Sequence, residues 1–315
     1  MMKCKLFLVM VVIISAGCSA RRGVRGLDSP YGLCVHAPHS SPEQAKVDKM
    51  LDAGVDWIRI DFVWKWVEPH QDVFNWSEFD SIAKYVRSRS RPVHVLANLQ
   101  IPPAWAVKPG GTGMLKDVAD LKDILTRAVR RYQGVFDYWG LYNEPDCDRN
   151  WTRDEYINQI LIPGADAIHA ASPIAKVVGP ELSHLTHPDM TDHEWWYWLR
   201  GAIEQAGDKI DIVSHHTYGS NWTLNNRLSS VRGVLNDAGW DGPVWLTETG
   251  RQSGSNPSGQ AAWLSTFLGK VQTRVTACDR ASWPRLHVCP CFLRHLRTGC
   301  PEKPSRKVLP WGISF

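Results

Sequence analysis

The sequence predicts an α/β fold, a (β/α)8 TIM barrel whose eighth βα unit is divergent or missing. From about residue 31, apolar runs typical of buried strands alternate with segments typical of helices, which is the pattern of a parallel sheet with helical crossovers. Seven such units precede residue 273, and 315 residues accommodate a barrel of about 250. A doubly wound sheet is disfavoured, because no Gly-x-Gly-x-x-Gly turn follows the first strand.

The first βα unit has the clearest boundaries. Its strand is predicted over residues 31–37. Ser41 then supplies a helix N-cap, Pro42 stands at the first helical position, and Gln44 completes a capping box before the helix stops at Gly54.

Six further units follow in order. Their strands are predicted over residues 55–63, 92–99, 136–142, 175–179, 210–214 and 243–247. Their helices are predicted over residues 77–88, 118–132, 153–171, 195–206, 228–238 and 258–272. The carboxyl ends of the strands carry the functional residues of a barrel. Polar side chains that close these runs are therefore the candidates for a site.

The two ends of the chain differ from the barrel, which is predicted over residues 31–273. Residues 274–315 are rich in Cys, Arg and Pro and show no period of a strand or a helix. We interpret this tail as out of frame or otherwise foreign, which would leave the barrel without its eighth unit and with unpaired edges. The alternative is that residues 286–293 supply a divergent eighth strand.

Residues 1–18 read as a signal peptide. Lys3 and Lys5 precede an apolar stretch that is too short to span a bilayer. The stretch runs through small residues into Cys18, which resembles the lipobox of bacterial lipoproteins and implies lipidation of Cys18. Residues 19–30 form a short linker, and Ser19 implies an outer-membrane or periplasm-facing lipoprotein. The alternative is an ordinary signal peptide with a chance cysteine; either way the protein is exported, and a lipid anchor is its sole expected membrane contact.

The net charge of +4 hides an acidic body. Of 36 Lys and Arg, five lie in residues 1–27 and eight in residues 274–315, where Asp279 and Glu302 are the acids. The residues between carry 23 basic and 30 acidic side chains. A nucleic-acid groove needs its basic residues clustered on the folded surface, so this charge distribution argues against a nucleic-acid partner.

Two glutamates close strand-like apolar runs. Glu144 stands in Tyr-Asn-Glu-Pro-Asp, residues 142–146, and Glu248 in Trp-Leu-Thr-Glu-Thr-Gly, residues 245–250. Each carboxyl would emerge at the carboxyl end of its strand. Hydrolysing a glycoside with retention requires such a pair, one to protonate the leaving oxygen and one to attack the anomeric carbon.

Several segments together resemble the clan of retaining (β/α)8 glycoside hydrolases, with families 39 and 5 the most similar. Those segments are Val55 to Trp64, Glu68-Pro69, Phe74 to Trp76, Pro102 to Trp105, Asn143 to Asp146, Ser214 to Tyr218 and Thr247 to Gly250, in the family's order. The likeness covers about residues 31–272. It implies a retaining β-glycosidase acting on an oligo- or polysaccharide. Xylosides, glucans and mannans remain equally compatible.

By this resemblance Glu144, which follows an asparagine at the fourth strand, would be the general acid/base, and Glu248 at the seventh strand the nucleophile. Asn143 would hydrogen-bond the sugar 2-hydroxyl. Arg59 at the second strand would point to the nucleophile and favour its charged form. A structural ion pair between Arg59 and Asp61 is the alternative.

Other residues of the matching segments would line the pocket. Tyr218 would donate to the nucleophile, and Trp105 would form a sugar-facing wall. His215 and His216 point to opposite faces of a strand, so one of them faces the site and the sequence does not decide which.

No metal or organic cofactor is expected. Cys289-Pro-Cys291 with His287 and His295 lacks the spacing of a zinc finger. The alternative to an enzyme is a catalytically inactive carbohydrate-binding or surface protein on the same scaffold.

Overall fold

The computed structural model describes most of the barrel. The described residues are 8–14, 32–35, 38, 40–52, 55–109, 113–147, 152–184, 195–216, 221–251, 259, 262 and 286–292.

The described strands form one closed sheet. They are β1 (Leu8–Ile14), β2 (Gly32–Val35), β3 (Trp57–Val63), β4 (His94–Gln100), β5 (Tyr138–Leu141), β6 (Lys176–His184), β7 (Ile212–His216), β8 (Val244–Arg251) and β9 (Leu286–Phe292). Each strand from β2 to β7 pairs in parallel with the next strand of the chain, so that β2 to β8 form one continuous parallel series. These seven strands are the seven predicted ones, and the predicted barrel is confirmed.

Two strands close the sheet between β8 and β2. β9 pairs in parallel with β2, and β1 lies antiparallel between β8 and β9. β9 therefore stands where an eighth barrel strand would stand, within the segment that the sequence offered as the alternative. The export signal and the foreign origin of the tail stay predictions.

Helices occupy the connections between the strands. They are α1 (Ser41–Asp52), α2 (Trp64–Val67), α3 (Ser77–Arg87), α4 (Val118–Arg131), α5 (Arg153–Tyr156), α6 (Ile162–Ala171), α7 (Trp195–Ala206) and α8 (Asn221–Asp237). No helix in the described ranges has the length and apolarity needed to cross a bilayer.

Two predicted helices differ from the structure. The helix predicted over 153–171 is interrupted by a π-helical turn, Ile157–Leu161, where the N–H of Ile162 bonds to the carbonyl of Ile157. Pro163 follows directly, and because proline has no N–H the regular ladder must break near it. The helix predicted over 228–238 begins earlier, at Asn221. The helix predicted over 258–272 lies almost wholly outside the described residues.

The two faces of β3 explain where the core ends and the site begins. Ile58, Ile60 and Phe62 pack outward in the cluster that the helices share, whereas Trp57 packs inside the barrel. The Trp57 ring lies 4.7 Å from that of Tyr138 and 5.0 Å from that of Trp245. These aromatic rings fill the barrel interior. Strand alternation places the Arg59 side chain two residues further along the same inner face.

Candidate active site

Five strands deliver ionisable side chains to one place at the carboxyl edge of the sheet. Arg59 comes from β3, Glu144 from the turn after β5, and Glu181, His216 and Glu248 from β6, β7 and β8. Arg59 is 4% exposed, and Glu181 and His216 are completely buried. Glu248 and Glu144 are 14% and 24% exposed, so these two face the space above the cluster.

Arg59 uses each of its nitrogens on this cluster. Nη1 lies 2.8 Å from Glu248 Oε1, and Nη2 lies 2.7 Å from Glu181 Oε2. Nη2 also donates to Asn143 Oδ1 across 2.8 Å, and Nε donates to Glu181 Oε2 across 3.2 Å. Burial alone would lower the pKa of Arg59, but Glu181, Glu248 and Asp61 raise it above its ordinary value. Arg59 is therefore a fixed cation that contacts Glu248, as the family resemblance implied, and it is not confined to a pair with Asp61.

His216 is the histidine that faces the site. Its Nδ1 lies 2.8 Å from Glu144 Oε1 and 3.7 Å from Glu248 Oε2, while its Nε2 lies 3.2 Å from Glu181 Oε2. Burial alone would lower the pKa of His216, yet Glu248, Glu144 and Glu181 raise it to about 10. At neutral pH the ring is an imidazolium that donates from both nitrogens. The neighbouring His215 is also fully buried, with Nδ1 3.4 Å from the carbonyl oxygen of His216.

Glu181 is the member of the cluster that sequence reasoning missed. The predicted fifth strand ends at Gly179, whereas β6 runs on to His184. Burial would raise the pKa of Glu181, but Arg59 and His216 lower it to about 2. A signal was available in the sequence. Like Glu144 and Glu248, Glu181 is a glutamate at the carboxyl end of an apolar strand.

The turn that carries Glu144 has an unusual backbone. Tyr142 and Glu144 have φ values of 76° and 49°, in the left-handed region that non-glycine residues seldom adopt. The N–H of Tyr142 donates to the carbonyl of Leu99 across 2.8 Å, and the N–H of Glu144 donates to that of Glu181 across 3.0 Å. The two neighbouring strand ends thus hold the turn, and strain of this kind is common at functional sites.

A buried carboxylate fixes the continuation of that turn. Asp146 accepts hydrogen bonds from the N–H and the hydroxyl of Ser183, at 2.9 and 2.8 Å. Burial raises the pKa of Asp146 to about 6, despite these hydrogen bonds. Asp146 therefore links the loop after β5 to the end of β6.

The three remaining predicted residues lie apart from the cluster or outside the described part of the chain. The indole N–H of Trp105 donates to the carbonyl of Glu68 across 3.0 Å, and its ring meets that of Trp64 edge-on at 6.0 Å. Trp105 is thus fixed on the loop after β4, and its sugar-facing role stays a prediction. Tyr218 and Cys18 fall outside the described residues.

Glu144, His216 and Glu248 offer ligand types that a metal ion can use, with one atom of each within 4.8 Å of the others. A metal ion, however, needs a neutral imidazole nitrogen. Both nitrogens of His216 are engaged by carboxylates, and its raised pKa keeps the ring protonated. The cation of Arg59 at 2.8 Å from Glu248 adds a second positive charge. The cluster therefore fits a metal poorly and is arranged as alternating anions and cations.

Two family models match the chain. One, described as the glycosyl hydrolase catalytic core, matches residues 110–283, which is more than half of the chain. The other, described as beta-galactosidase, matches residues 36–116. Arg59 lies within residues 36–116, and the other four members of the cluster lie within residues 110–283.

Individual relatives agree with these matches. The beta-glucosidase-like protein SFR2 of Oryza sativa subsp. japonica, described as chloroplastic, is 27% identical over 168 residues, or 51% of this chain and 23% of that protein. The chain thus spans less than a quarter of the length of this curated relative.

Solved structures resemble the barrel at low sequence identity. A monomeric beta-xylosidase from Caulobacter crescentus CB15 gives a TM-score of 0.55 at 19% identity, covering 73% of this chain and 52% of that one. A family 39 glycoside hydrolase from the gut symbiont Bacteroides cellulosilyticus WH2 gives 0.57 at 15% identity, covering 85% and 67%. At such identities the likeness shows a shared fold.

Proposed function

Because the chain belongs to the glycosyl hydrolase catalytic core family, we propose that it hydrolyses O-glycosidic bonds of an oligo- or polysaccharide with retention of the anomeric configuration. The reaction would proceed by double displacement. Glu144 would serve as general acid/base and Glu248 as nucleophile. The cluster at the carboxyl edge of the barrel supplies the groups for this chemistry.

The observation that carries the proposal is the spacing of the two partly exposed carboxylates. One oxygen of Glu144 and one of Glu248 lie within 4.8 Å of each other. Carboxyl groups about 5 to 5.5 Å apart suit a retaining enzyme, whereas an inverting enzyme separates them by about 6.5 to 9.5 Å to admit a water molecule. The short spacing therefore favours direct attack of one carboxylate on the anomeric carbon over attack by a water molecule.

In the first step, a carboxylate oxygen of Glu248 forms a bond to the anomeric carbon. The bond from that carbon to the leaving oxygen breaks, and the leaving oxygen takes the proton of Glu144. Arg59, 2.8 Å from Glu248, orients the nucleophile for this attack. The products are the released alcohol and a glycosyl ester of Glu248.

In the second step, water attacks the anomeric carbon and the ester bond to Glu248 breaks. Glu144, now a carboxylate, removes the proton from that water, which restores both side chains. His216, whose Nδ1 lies 2.8 Å from Glu144 Oε1, orients the Glu144 carboxylate for this step. The sum of the two steps is consumption of one water and release of a sugar with its original configuration.

Supporting roles follow from the surroundings of the pair. Asn143 would donate its amide N–H to the sugar 2-hydroxyl, because its Oδ1 already accepts from Arg59 across 2.8 Å. Trp105 and Tyr218 would complete the pocket as the family resemblance implies. The steps above require no metal or organic cofactor.

The test begins with a panel of 4-nitrophenyl β-D-xyloside, glucoside, galactoside and mannoside. We expect the parent protein to cleave at least one of them, with loss of activity on the order of 10⁴-fold in Glu248→Ala. Azide should rescue Glu248→Ala with an inverted glycosyl azide and Glu144→Ala with a retained one. Glu204→Ala is the matched control, since Glu204 pairs with Arg200 on the surface of α7.

A folded parent that cleaves none of the panel, nor natural xylans, glucans or mannans, would leave the inactive carbohydrate-binding protein as the better account. The cluster does not favour that alternative. Both carboxylates are present, and each has a cationic side chain 2.8 Å away.

We also propose export with lipidation of Cys18. β1 occupies Leu8–Ile14, inside the proposed signal peptide, so cleavage before Cys18 would remove this strand and leave β8 and β9 without their shared partner. Radiolabelled palmitate should enter the parent expressed in a bacterium but not Cys18→Ser. An unlabelled parent that keeps its first residues would contradict export by this route.

A further inference from the structure

The carboxylate of Glu181 lies between the two cations of the cluster. Its Oε2 accepts from Arg59 Nη2 at 2.7 Å, from Arg59 Nε at 3.2 Å and from His216 Nε2 at 3.2 Å. The side chain has no solvent exposure. A carboxylate buried to this degree is stable because opposite charges surround it.

The backbone of Glu181 is fixed as firmly as its side chain. Its N–H donates to the hydroxyl of Ser214 across 3.0 Å, and its carbonyl accepts from the N–H of Glu144 across 3.0 Å. Its φ of 55° lies in the left-handed region. Glu181 therefore contacts Glu144 directly through a main-chain hydrogen bond. It is also linked to Glu144 through the His216 ring, which bonds to both carboxylates.

We propose that Glu181 is a positioning residue, which holds Arg59 against Glu248 and His216, as a cation, against Glu144. This inference rests on the proposed function, because it concerns the geometry of that reaction. Glu181 meets neither the substrate nor the reacting atoms in this role. It acts through the two cations.

The reason is electrostatic. Both Arg59 and His216 bond to the same oxygen of Glu181, so its negative charge offsets their mutual repulsion. The charged groups facing His216 are Glu144 from the turn after β5, Glu181 from β6, Glu248 from β8 and, behind Glu181, Arg59 from β3. Without the charge of Glu181, His216 would lose its proton more readily and its hydrogen bond to Glu144 would weaken.

The direct test replaces Glu181 by glutamine, which keeps the size and one acceptor oxygen. In the parent, Glu181 Oε1 has no hydrogen-bond partner among the described residues, so an amide nitrogen can take that place without displacing one. We expect kcat on the responsive 4-nitrophenyl glycoside to fall by roughly a hundredfold, as for a small misplacement of reacting groups, with KM little changed.

A second readout does not depend on activity. In protein labelled with ¹⁵N-histidine, and with His216→Gln to assign the signal, we expect both ring nitrogens of His216 to be protonated at pH 8 in the parent. In Glu181→Gln the ring should titrate about 1 to 3 pH units lower, as expected for loss of a neighbouring opposite charge. Purely structural damage would lower kcat without this change in titration.

The matched control is Asp211→Asn, directly before β7, where the Asp211 side chain contacts the first residues of β6. Asp211 also bridges a histidine and a cation, with His169 Nε2 at 2.8 Å and Lys176 Nζ at 2.7 Å. This variant should leave both the titration of His216 and kcat unchanged.

Three outcomes decide the matter. A neutral His216 in the parent at pH 8 overturns the proposal without any variant, so it stays testable if Glu181→Gln fails to fold. An unchanged His216 titration with kcat within about twofold of the parent also overturns it. If the parent hydrolyses nothing, the proposed function fails, whereas the titration still reports whether Glu181 holds His216 as a cation.

Discussion

The N–H of Glu144 donates to the carbonyl oxygen of Glu181 across 3.0 Å, and both residues have left-handed backbones, with φ of 49° and 55°. This bond joins the turn after β5 to the end of β6. Two strained residues that hold each other cannot move independently. The direction of the Glu144 side chain is thus set partly by a strand that does not carry it.

Arg59→Lys should lower the activity of a protein that remains folded. Arg59 reaches Glu248 with Nη1 and both Glu181 and Asn143 with Nη2, and a single ammonium group cannot reproduce that fork. We expect kcat/KM to fall by on the order of 10²-fold, comparable to loss of a transition-state hydrogen bond. Circular dichroism would establish folding.

Arg131→Lys is the corresponding surface control, because Arg131 makes a two-nitrogen contact with Asp80 at 43% exposure. It should retain full activity. A folded Arg59→Lys as active as Arg131→Lys would show that the fork has no catalytic importance.

His216 makes the stability depend on alkaline pH. Its pKa is about 10 in the folded protein against an ordinary 6.5, so its contribution is fully present below pH 6.5 and is lost as pH rises through 10. Within that window the parent should lose up to about 1.4 kcal/mol of unfolding free energy per pH unit through this group. Urea unfolding at several pH values would measure the slope, and His216→Gln should flatten it. Equal slopes in both proteins would be incompatible with a protonated His216.

Asp146 makes the stability depend on pH in the acid range. There too, the stability falls as the pH rises. Burial raises its pKa to about 6 from an ordinary 3.8, so between these values the folded state holds a proton that the unfolded chain has released. Stability from this group therefore falls as pH rises from 3.8 to 6. Asp146→Asn should remove this trend, as seen by urea unfolding at pH 4, 5 and 6. Asp123→Asn, at an exposed position of α4, should preserve it, and an unaltered trend in Asp146→Asn would refute the assignment.

Ile101→Asn should stabilise the protein. Ile101 has φ of 53° directly after β4 and is 41% exposed, a costly conformation for a β-branched residue. Relief of this strain should add about 1 kcal/mol to the unfolding free energy, because asparagine tolerates the left-handed region. The bond from the Lys65 N–H to the Ile101 carbonyl is made by the backbone and is retained. Ile174→Asn, at 50% exposure and without positive φ, should give no such gain, and an equal gain there would point to simple loss of an exposed apolar side chain.

Much of the barrel was predictable because its strands are apolar runs with polar ends. Glu144 and Glu248 could be recognised from the residues around them. Arg59 could be recognised because a guanidinium on an apolar strand needs a charged partner. Each of these features involves residues that are close together in the sequence, so each can be recognised without the structure.

What the sequence did not reveal depends on contacts between strands. Pro180 reads as a strand end, yet β6 continues past it to His184 and so carries Glu181 into the site. The choice between His215 and His216 depends on the facing of β7, which pairs with β8 through a register shift at these two residues. Strand alternation alone could not resolve that irregularity.

Glu181 also affects the net charge of the cluster during the proposed reaction. Before attack, Arg59 and His216 are positive and Glu181 is negative, and the proposed reaction requires a negative Glu248 and a protonated Glu144. In the glycosyl ester, Glu248 is neutral and Glu144 has become negative, while Glu181 is unchanged with its pKa near 2. The charges of the five groups sum to zero in both states, so neither the free enzyme nor the glycosyl ester leaves the cluster with a net charge to solvate.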